Sequence, residues 1–515
     1  MSRARCGTVP ERAAVAGQLA RARYPLLFAA GALLSGLTIL SGINPHDEGL
    51  MLQAATRVAD GELPYRDFYA NYGPGQYYFL GALDAAFGPS LLTWRIGRVA
   101  LDALIGTLAY ALARRQAPQS IAVLVWVAAI ASMAHPTLPH PNAPALALGL
   151  GAILLASRSP TGAGVLAGVA FAFRFDLGAA AAVGAALAAG ATDARRPASD
   201  RAAPLRVLAA AVLTAAVLVM PFLLAAHGAF WDQTVGFALE EQSLQRLPLP
   251  GAWDGGLEPN KLLAFYMPYV LIGGCAMWLA AAVAQRAPRQ AWAALPLAIA
   301  GLAYLLARAD EFHLVPLAVV LPVLLAGAAG RARAMSLRLV LIAPIALVAL
   351  NALDQNRIDV LDSQRLSRIR LDVADGVRAP PDEARALEAV VREVRRYVPP
   401  DEPVFVANPR HDLVRVGNPL VYVLAGRPNP TRYDVMQPGV VTTAGVQREI
   451  VRDLRDSRTE LVIRWLSPVA DEVEPNGAGR SSGVRVLDRH LARRYTAVAR
   501  FGPYSVLRLP GASPK

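Results

Sequence analysis

Eleven apolar stretches fill the first two thirds of this chain, at 24–43, 91–113, 119–134, 142–157, 162–173, 177–190, 204–226, 262–285, 291–307, 312–329 and 336–352. A helix of about 20 apolar residues, rising about 1.5 Å per residue, crosses a hydrocarbon layer of about 30 Å. The pattern therefore predicts a polytopic α-helical membrane protein with about 11 transmembrane helices. The first stretch lacks a small-residue cleavage site and is followed by further spans, so it reads as an anchor and not as a removed signal peptide. Composition agrees: 54% of residues are hydrophobic and 17% charged, against roughly a quarter charged in soluble domains. That balance argues against one large soluble enzyme, and the apolar content is too high for a disordered chain.

The formal charge is +12, and Lys261 and Lys515 are the only lysines. Arginines gather before the first stretch (Arg3, Arg5, Arg12, Arg21, Arg23) and then in alternate connections: Arg114 and Arg115, Arg158, Arg195 with Arg196, Arg201 and Arg206, Arg286 with Arg289, and Arg331 with Arg333 and Arg338. By the positive-inside rule these segments are cytoplasmic. The connections at 44–90, 135–141, 227–260 and 308–311 then face outward, as does everything after Asn351. The expected location is the plasma (inner) membrane, with a cytoplasmic N-terminus and an extracytoplasmic C-terminal domain. The basic balance is thus topology, and no nucleic-acid partner is expected. Cys6 and Cys275 lie in unlike settings, tail and apolar run, and do not suggest a disulfide.

Two domains are expected: 1–352 in the membrane and a soluble α/β domain at 353–515, where charged residues and prolines return. Apolar residues at Leu387, Val390, Val391, Val394 and Tyr397 share one helix face within 382–397. Segments 402–408, 460–466 and 504–509 read as strands, and 447–455 and 487–495 as helices.

The first outward connection, 44–90, is too long for a passive link. It opens with His46-Asp47-Glu48-Gly49, continues through a helical stretch at 50–59, and reaches an ordered aromatic turn at 65–72. Acidic residues before a helix serve equally as its N-terminal cap and first turn. Farther on, Arg174 and Asp176 interrupt apolar sequence, and Arg308, Asp310 and His313 sit at the outer end of another span. Charge at membrane depth is costly and marks either a site or a water-exposed hairpin tip. Arginine's planar fork suits phosphate oxygens. His135 and His140 flank three prolines without a clear third ligand, so the turn reads as stiff and no metal is expected. Nor does a Gly-rich nucleotide loop appear in a strand–helix setting.

Asp47-Glu48, the stretch GELPYRDFYANYGPGQYYFLGALDAAFG at 61–88, Arg95, Arg174-Phe175-Asp176 and 308–313 together resemble the GT-C superfamily of membrane glycosyltransferases. The resemblance is to the branch of the protein O-mannosyltransferases and lipid A aminoarabinose transferases. It spans about 1–350, and the tail matches only in its placement. It implies a GT-C-like core and transfer of a sugar from a polyprenyl-phosphate donor to an extracytoplasmic acceptor (glycan, lipid or protein), with inversion and without a cofactor. The partners expected are that donor, that acceptor and the lipid bilayer. A donor anchored by its polyprenyl chain holds its reacting carbon at headgroup depth, where a carboxylate at the end of the first span can meet it. The family's catalytic acidic pair maps to Asp47 and Glu48: Asp47 is the candidate general base, and Glu48 either supports it from behind or orients the acceptor. Arg174, Arg308 and His313 are candidates for the donor phosphate, and Tyr65, Arg66, Asp67, Tyr72, Asp176 and Asp310 for substrate contacts. Turn architecture is the competing account of Tyr65, Arg66, Asp67 and Tyr72. The competing function is a transporter or flippase of a lipid-linked saccharide. Such folds often show paired repeats and broken midplane helices; no clear repeat is visible here, and the polar residues gather at the outer face.

Overall fold

The computed structural model describes residues 9–191, 202–476 and 478–511. Arg3, Arg5, Cys6, Arg195, Arg196 and Arg201 lie outside the described residues, as do the side chains of Arg12 and Arg21. Each apolar stretch forms a helix. In chain order these are α1 (Val9–Gly36), then, after two helices in the first long connection, α2 (Asp47–Ala59) and α3 (Pro74–Phe87), the series α4 (Leu91–Arg114), α5 (Gln119–Met133), α6 (Asn142–Leu155), α7 (Pro160–Phe173), α8 (Phe175–Gly190), α9 (Ala203–Trp231), α10 (Pro259–Ala284), α11 (Leu295–Ala307), α12 (Val315–Arg331) and α13 (Met335–Ser363). Five helical segments, those beginning at Leu91, Ala203, Pro259, Arg289 and Met335, are long and apolar enough to cross a membrane. Helices α5, α6, α7 and α8 have only 15, 14, 14 and 16 residues. At about 1.5 Å per residue each falls short of a 30 Å layer, and their buried alanines and glycines pack inside the bundle. The segment containing α9 is the opposite case: only 17% of its apolar window is buried, the least of the five.

Helix ends follow local chemistry. Ser90 Oγ accepts from the Thr93 N–H at the start of α4, and Ser159 Oγ from Gly162 ahead of α7, where Pro160 occupies the first turn. Asp47 and Glu48 open α2, as the helix dipole favours. One bound read from the sequence changes, and one helix is added. The stretch after the aromatic turn is a regular helix, α3, started by Pro74. The last apolar helix does not stop near 352 but continues as α13 to Ser363.

The tail contains β1 (Ser367–Arg368), β2 (Arg378–Ala379), α14 (Pro381–Tyr397), β3 (Phe405–Ala407), α15 (Leu420–Ala425), α16 (Ala444–Asp456), β4 (Leu461–Trp465), α17 (Val486–Arg494), β5 (Thr496–Phe501) and β6 (Tyr504–Arg508). β3, β4, β6 and β5 form one sheet in that order. β3 runs parallel to β4, with Phe405 opposite Val462, and the other pairs are antiparallel. Leu387, Val390, Val391 and Val394 of α14 are buried in the same core as the sheet residues Phe405, Ile463 and Val506.

That core does not end at the tail. It continues into α2 and the aromatic turn through Leu50, Met51, Tyr65, Phe68 and Tyr69, whereas most of the helical bundle has a separate apolar core. Backbone bonds reinforce the junction: Arg378 N–H donates to Leu40 C=O (2.8 Å), Gly42 N–H to Arg378 C=O (2.9 Å) and Tyr69 N–H to Arg432 C=O (2.8 Å). Arg57 on α2 adds a buried ion pair with Asp434 at 2.9 Å. The first long connection is therefore sandwiched between the bundle and the tail. At Gly49, α2 presses so closely on α15 that an added Cβ would fall on the Leu420 backbone nitrogen. Gly49→Val should displace the tail at a cost of about 1–3 kcal/mol, as overpacking does. Faster proteolytic release of the tail would show this, and a wild-type cleavage rate would count against the tight fit.

Candidate active site

Where α1 gives way to α2, Asn44 fixes the turn. Its side-chain oxygen accepts from Asp47 N–H at 2.9 Å, and its amide donates to Asp47 Oδ2 at 3.2 Å. The two adjacent carboxylates then diverge. Asp47 remains half-buried at the start of α2. Glu48 is 1% exposed and bound twice by Arg95, Nε to Oε1 at 2.8 Å and Nη2 to Oε2 at 2.9 Å. Arg95 also donates to the carbonyls of Ile39 and Gly42, each at 2.9 Å. Of the two roles open to Glu48, supporting or acceptor-orienting, the geometry matches the first: both oxygens are committed to a lock between the end of α1, α2 and α4.

The aromatic turn divides in the same way. Tyr65 is fully buried with a left-handed backbone (φ 69°), and its hydroxyl donates to Tyr72 C=O at 2.6 Å. Its own carbonyl accepts from Arg432 (2.6 Å) and Gln233 (3.0 Å). Arg66 pairs with Asp67 at 2.7 Å on the exposed side, and Asp67 also caps Leu63 N–H at 2.8 Å. These three residues hold the turn. Tyr72 points elsewhere. Gly73 packs so tightly on the Ala172 carbonyl, at the end of α7, that a Cβ there would overlap it. This contact brings the Tyr72 ring beside Arg174, whose guanidinium carbon lies 6.0 Å from the ring centre.

Arg174 occupies the break between α7 and α8 and is 9% exposed. Nε and Nη2 reach Asp176 at 2.9 and 2.6 Å, and Nη1 reaches Asn142 Oδ1 at 2.8 Å. Tyr304 of α11 lies against the guanidinium, 4.5 Å from ring centre to carbon. Three N–H groups are thus engaged by Asp176 and Asn142, and the guanidinium also hydrogen-bonds the Tyr304 side chain. Asp176 binds Arg174 and also caps Leu177 N–H at 2.8 Å. Tyr304 in turn stacks on His313, with ring centres 4.2 Å apart. Asp310 accepts from His313 Nδ1 at 2.6 Å and from the His313 N–H at 3.0 Å, so the imidazole is held with Nε2 free of that carboxylate.

His140 completes the group. Its Nε2 is 2.9 Å from the Tyr72 hydroxyl, and Nδ1 accepts weakly from Asn142 N–H at 3.4 Å. Burial, aided by the charges of Arg174 and His313, pushes the imidazole well below its usual pKa, so it is neutral. The neutral ring then carries its proton on Nε2 and donates to Tyr72, leaving the phenolic O–H to face another acceptor. Burial first, then Tyr304 and Asp47, raises the Tyr72 pKa well above its usual value, although Arg174 opposes this. His135, on the same proline turn, faces away toward Asp359 at 3.9 Å. Among the described residues no group of three or more His, Cys, Asp or Glu is arranged to hold a metal.

The structure therefore links Tyr72, Arg174, Asp176, Tyr304, His313 and Asp310 in one chain of contacts, and among the described residues Asp47 is connected to it only through the effect of its charge on Tyr72. Arg308 has a different setting. It binds Glu474 of the tail twice, at 2.7 and 2.9 Å, Asp310 at 2.6 Å and the Gln245 carbonyl at 2.8 Å. Four of its five N–H groups are engaged, so the guanidinium expected at a phosphate instead fastens the tail to α11. Burial alone would lower the Arg308 pKa, but the bonds to Glu474 and Asp310 raise it. Burial likewise favours a neutral Asp310, yet His313 and Arg308 hold its carboxyl below the usual value. Reading the sequence alone passes over Tyr304 and Asn142, since both lie in apolar helices; a polar side chain near a helix end was the only available signal.

No family profile matches the sequence, and no curated protein sequence is similar to it. Solved structures share its fold, two of them of one protein. One is ArnT from Cupriavidus metallidurans bound to undecaprenyl phosphate, with TM-score 0.56, 16% identity, and coverage of 96% of this chain and 100% of that one. The other is the same protein in the apo state, with TM-score 0.56, 14% identity and the same coverage. The chain thus shares its fold with ArnT, and its described residues are predominantly helical.

Proposed function

We propose that this protein is a multi-pass membrane glycosyltransferase that moves a sugar from a polyprenyl-phosphate donor to an acceptor on the tail-bearing side of the membrane. One observation carries the reading: a nearly buried arginine, Arg174, lies against the rings of Tyr72 and Tyr304 with donor capacity beyond its bonds to Asp176 and Asn142. The shared fold supports it, because the neighbour with that fold is bound to undecaprenyl phosphate.

In this reading the donor phosphate lies on Arg174, with the Tyr72 hydroxyl as a further donor and the His313 ring, held by Asp310, beside them. Such preorganised donors stabilise charge as it develops on a leaving group. The acceptor hydroxyl attacks the anomeric carbon, the bond from that carbon to the phosphate oxygen breaks with its electron pair going to phosphate, and Asp47 takes the hydroxyl proton. One displacement inverts the anomeric centre. Glu48 with Arg95 serves as a positioning pair that sets the height of Asp47. Tyr65, Arg66 and Asp67 shape the turn that carries Tyr72, Asp176 orients Arg174, Asp310 orients His313, and Arg308 holds the tail over the site. The N-terminus is cytoplasmic, and the unit following α13 forms an extracytoplasmic domain.

The test is incubation of the purified protein with radiolabelled polyprenyl-phosphate sugars and membrane extract. Label from at least one such donor should pass to an acceptor, with release of polyprenyl phosphate. Transfer from nucleotide sugars alone, or movement of the lipid without bond formation, would refute the assignment.

A further inference from the structure

We infer that a groove between α8 and α9, at the arginine-rich end of the bundle, binds an anionic phospholipid, with the acyl chain in the groove and the phosphate on Arg289. The inference rests on the membrane reading of the helices and is independent of sugar transfer. The groove has a volume of about 320 Å³ and is lined by Val183, Leu187 and Gly190 of α8 and by Pro204 and Leu208 of α9, with Arg289 as its charged residue. It opens on the least buried of the long helices, where Leu205, Leu208, Val212 and Leu213 are exposed, so the surrounding medium is the lipid phase. An apolar trough with one charge at its end matches a lipid whose chain lies along the helices and whose headgroup stands at the interface.

Charge selects among headgroups. The segments at 114–118, 157–160, 285–294 and 331–338 meet at this end and carry eight arginines with no aspartate or glutamate, and the sequence joining α8 to α9 adds four arginines, at 195, 196, 201 and 206, against Asp193 and Asp200. Arg289 is exposed and makes no side-chain hydrogen bond or ion pair among the described residues. Nearby, Arg331 Nη2 and Arg114 Nε are buried without a partner. A zwitterionic headgroup would bring its own cation into this field, whereas an anionic one neutralises it; basic pockets between helices on the cytoplasmic side characteristically take anionic lipids.

Native mass spectrometry of the full chain, equilibrated with phosphatidylglycerol or phosphatidylcholine of matched acyl chains, tests this. Phosphatidylglycerol should be retained at least fivefold more than phosphatidylcholine. Arg289→Ala should reduce that retention at least fivefold, and Leu187→Trp should remove it by filling the groove with every charge intact. Arg333→Ala, at the same end but not lining the groove, should reduce retention less than twofold. Equal retention of the two lipids, wild-type retention in Arg289→Ala or Leu187→Trp, or an equal loss in Arg333→Ala would each overturn the site. Sugar transfer is not read in this experiment, so its outcome and that of the donor assay are separable.

Discussion

Asp47→Asn should lower the rate of sugar transfer about 10²–10⁴-fold, the range that general-base catalysis supplies, while donor binding and the folded state persist. The change is isosteric and keeps an oxygen for the Asn44 amide, which now lies 3.2 Å from Oδ2. The Asp47 N–H still donates to Asn44 Oδ1, at 2.9 Å in the wild type, so the start of α2 is retained. What is lost is a basic oxygen able to accept the acceptor's proton, together with a favourable charge at the helix start worth about 0.3–1 kcal/mol. Single-turnover transfer at saturating donor, beside the apparent melting temperature in detergent, separates these effects. A wild-type transfer rate in a well-folded Asp47→Asn protein would remove this carboxylate from the chemistry.

The largest stability effect is expected one residue later. Arg95→Ala should cost about 3–5 kcal/mol, since removal of one partner from a buried ion pair leaves the other charge uncompensated. Here it would strand Glu48, which is 1% exposed, and free the carbonyls of Ile39 and Gly42. Glu48→Gln should destabilise less, because an amide oxygen still accepts from Arg95. The double change Glu48→Met with Arg95→Met should recover part of the loss, as apolar replacement of buried pairs often does. The readouts are the apparent melting temperature and the protease susceptibility of the first connection. If Arg95→Ala melts with the wild type, the lock between α1, α2 and α4 contributes little.

The adjacent acids also show where the sequence stops being informative. Successive helical residues point roughly 100° apart, so two neighbouring carboxylates can face a ligand site and a buried arginine respectively, and composition does not say which faces which. The helices of the bundle were legible because apolar length is a strong signal, and Arg174 because charge at membrane depth has few explanations. Arg308 looked equivalent to Arg174, but its partner Glu474 lies 166 positions away and no local pattern announces it. α3 was hidden by its tyrosines and glycines, which resemble a turn although Pro74 starts a helix. β5 was missed because its residues are largely exposed and lack an apolar alternation. The shared core of the tail and the first connection arises from contacts remote in sequence, which periodicity does not encode.

Binding of undecaprenyl phosphate to the purified protein and to Arg174→Ala bears most directly on the proposed donor site. Loss of one charge-assisted hydrogen bond to the phosphate, worth about 1.5–3 kcal/mol, predicts an affinity at least tenfold weaker in the variant. Equal affinity in the two proteins would place the phosphate away from Arg174 and contradict the account.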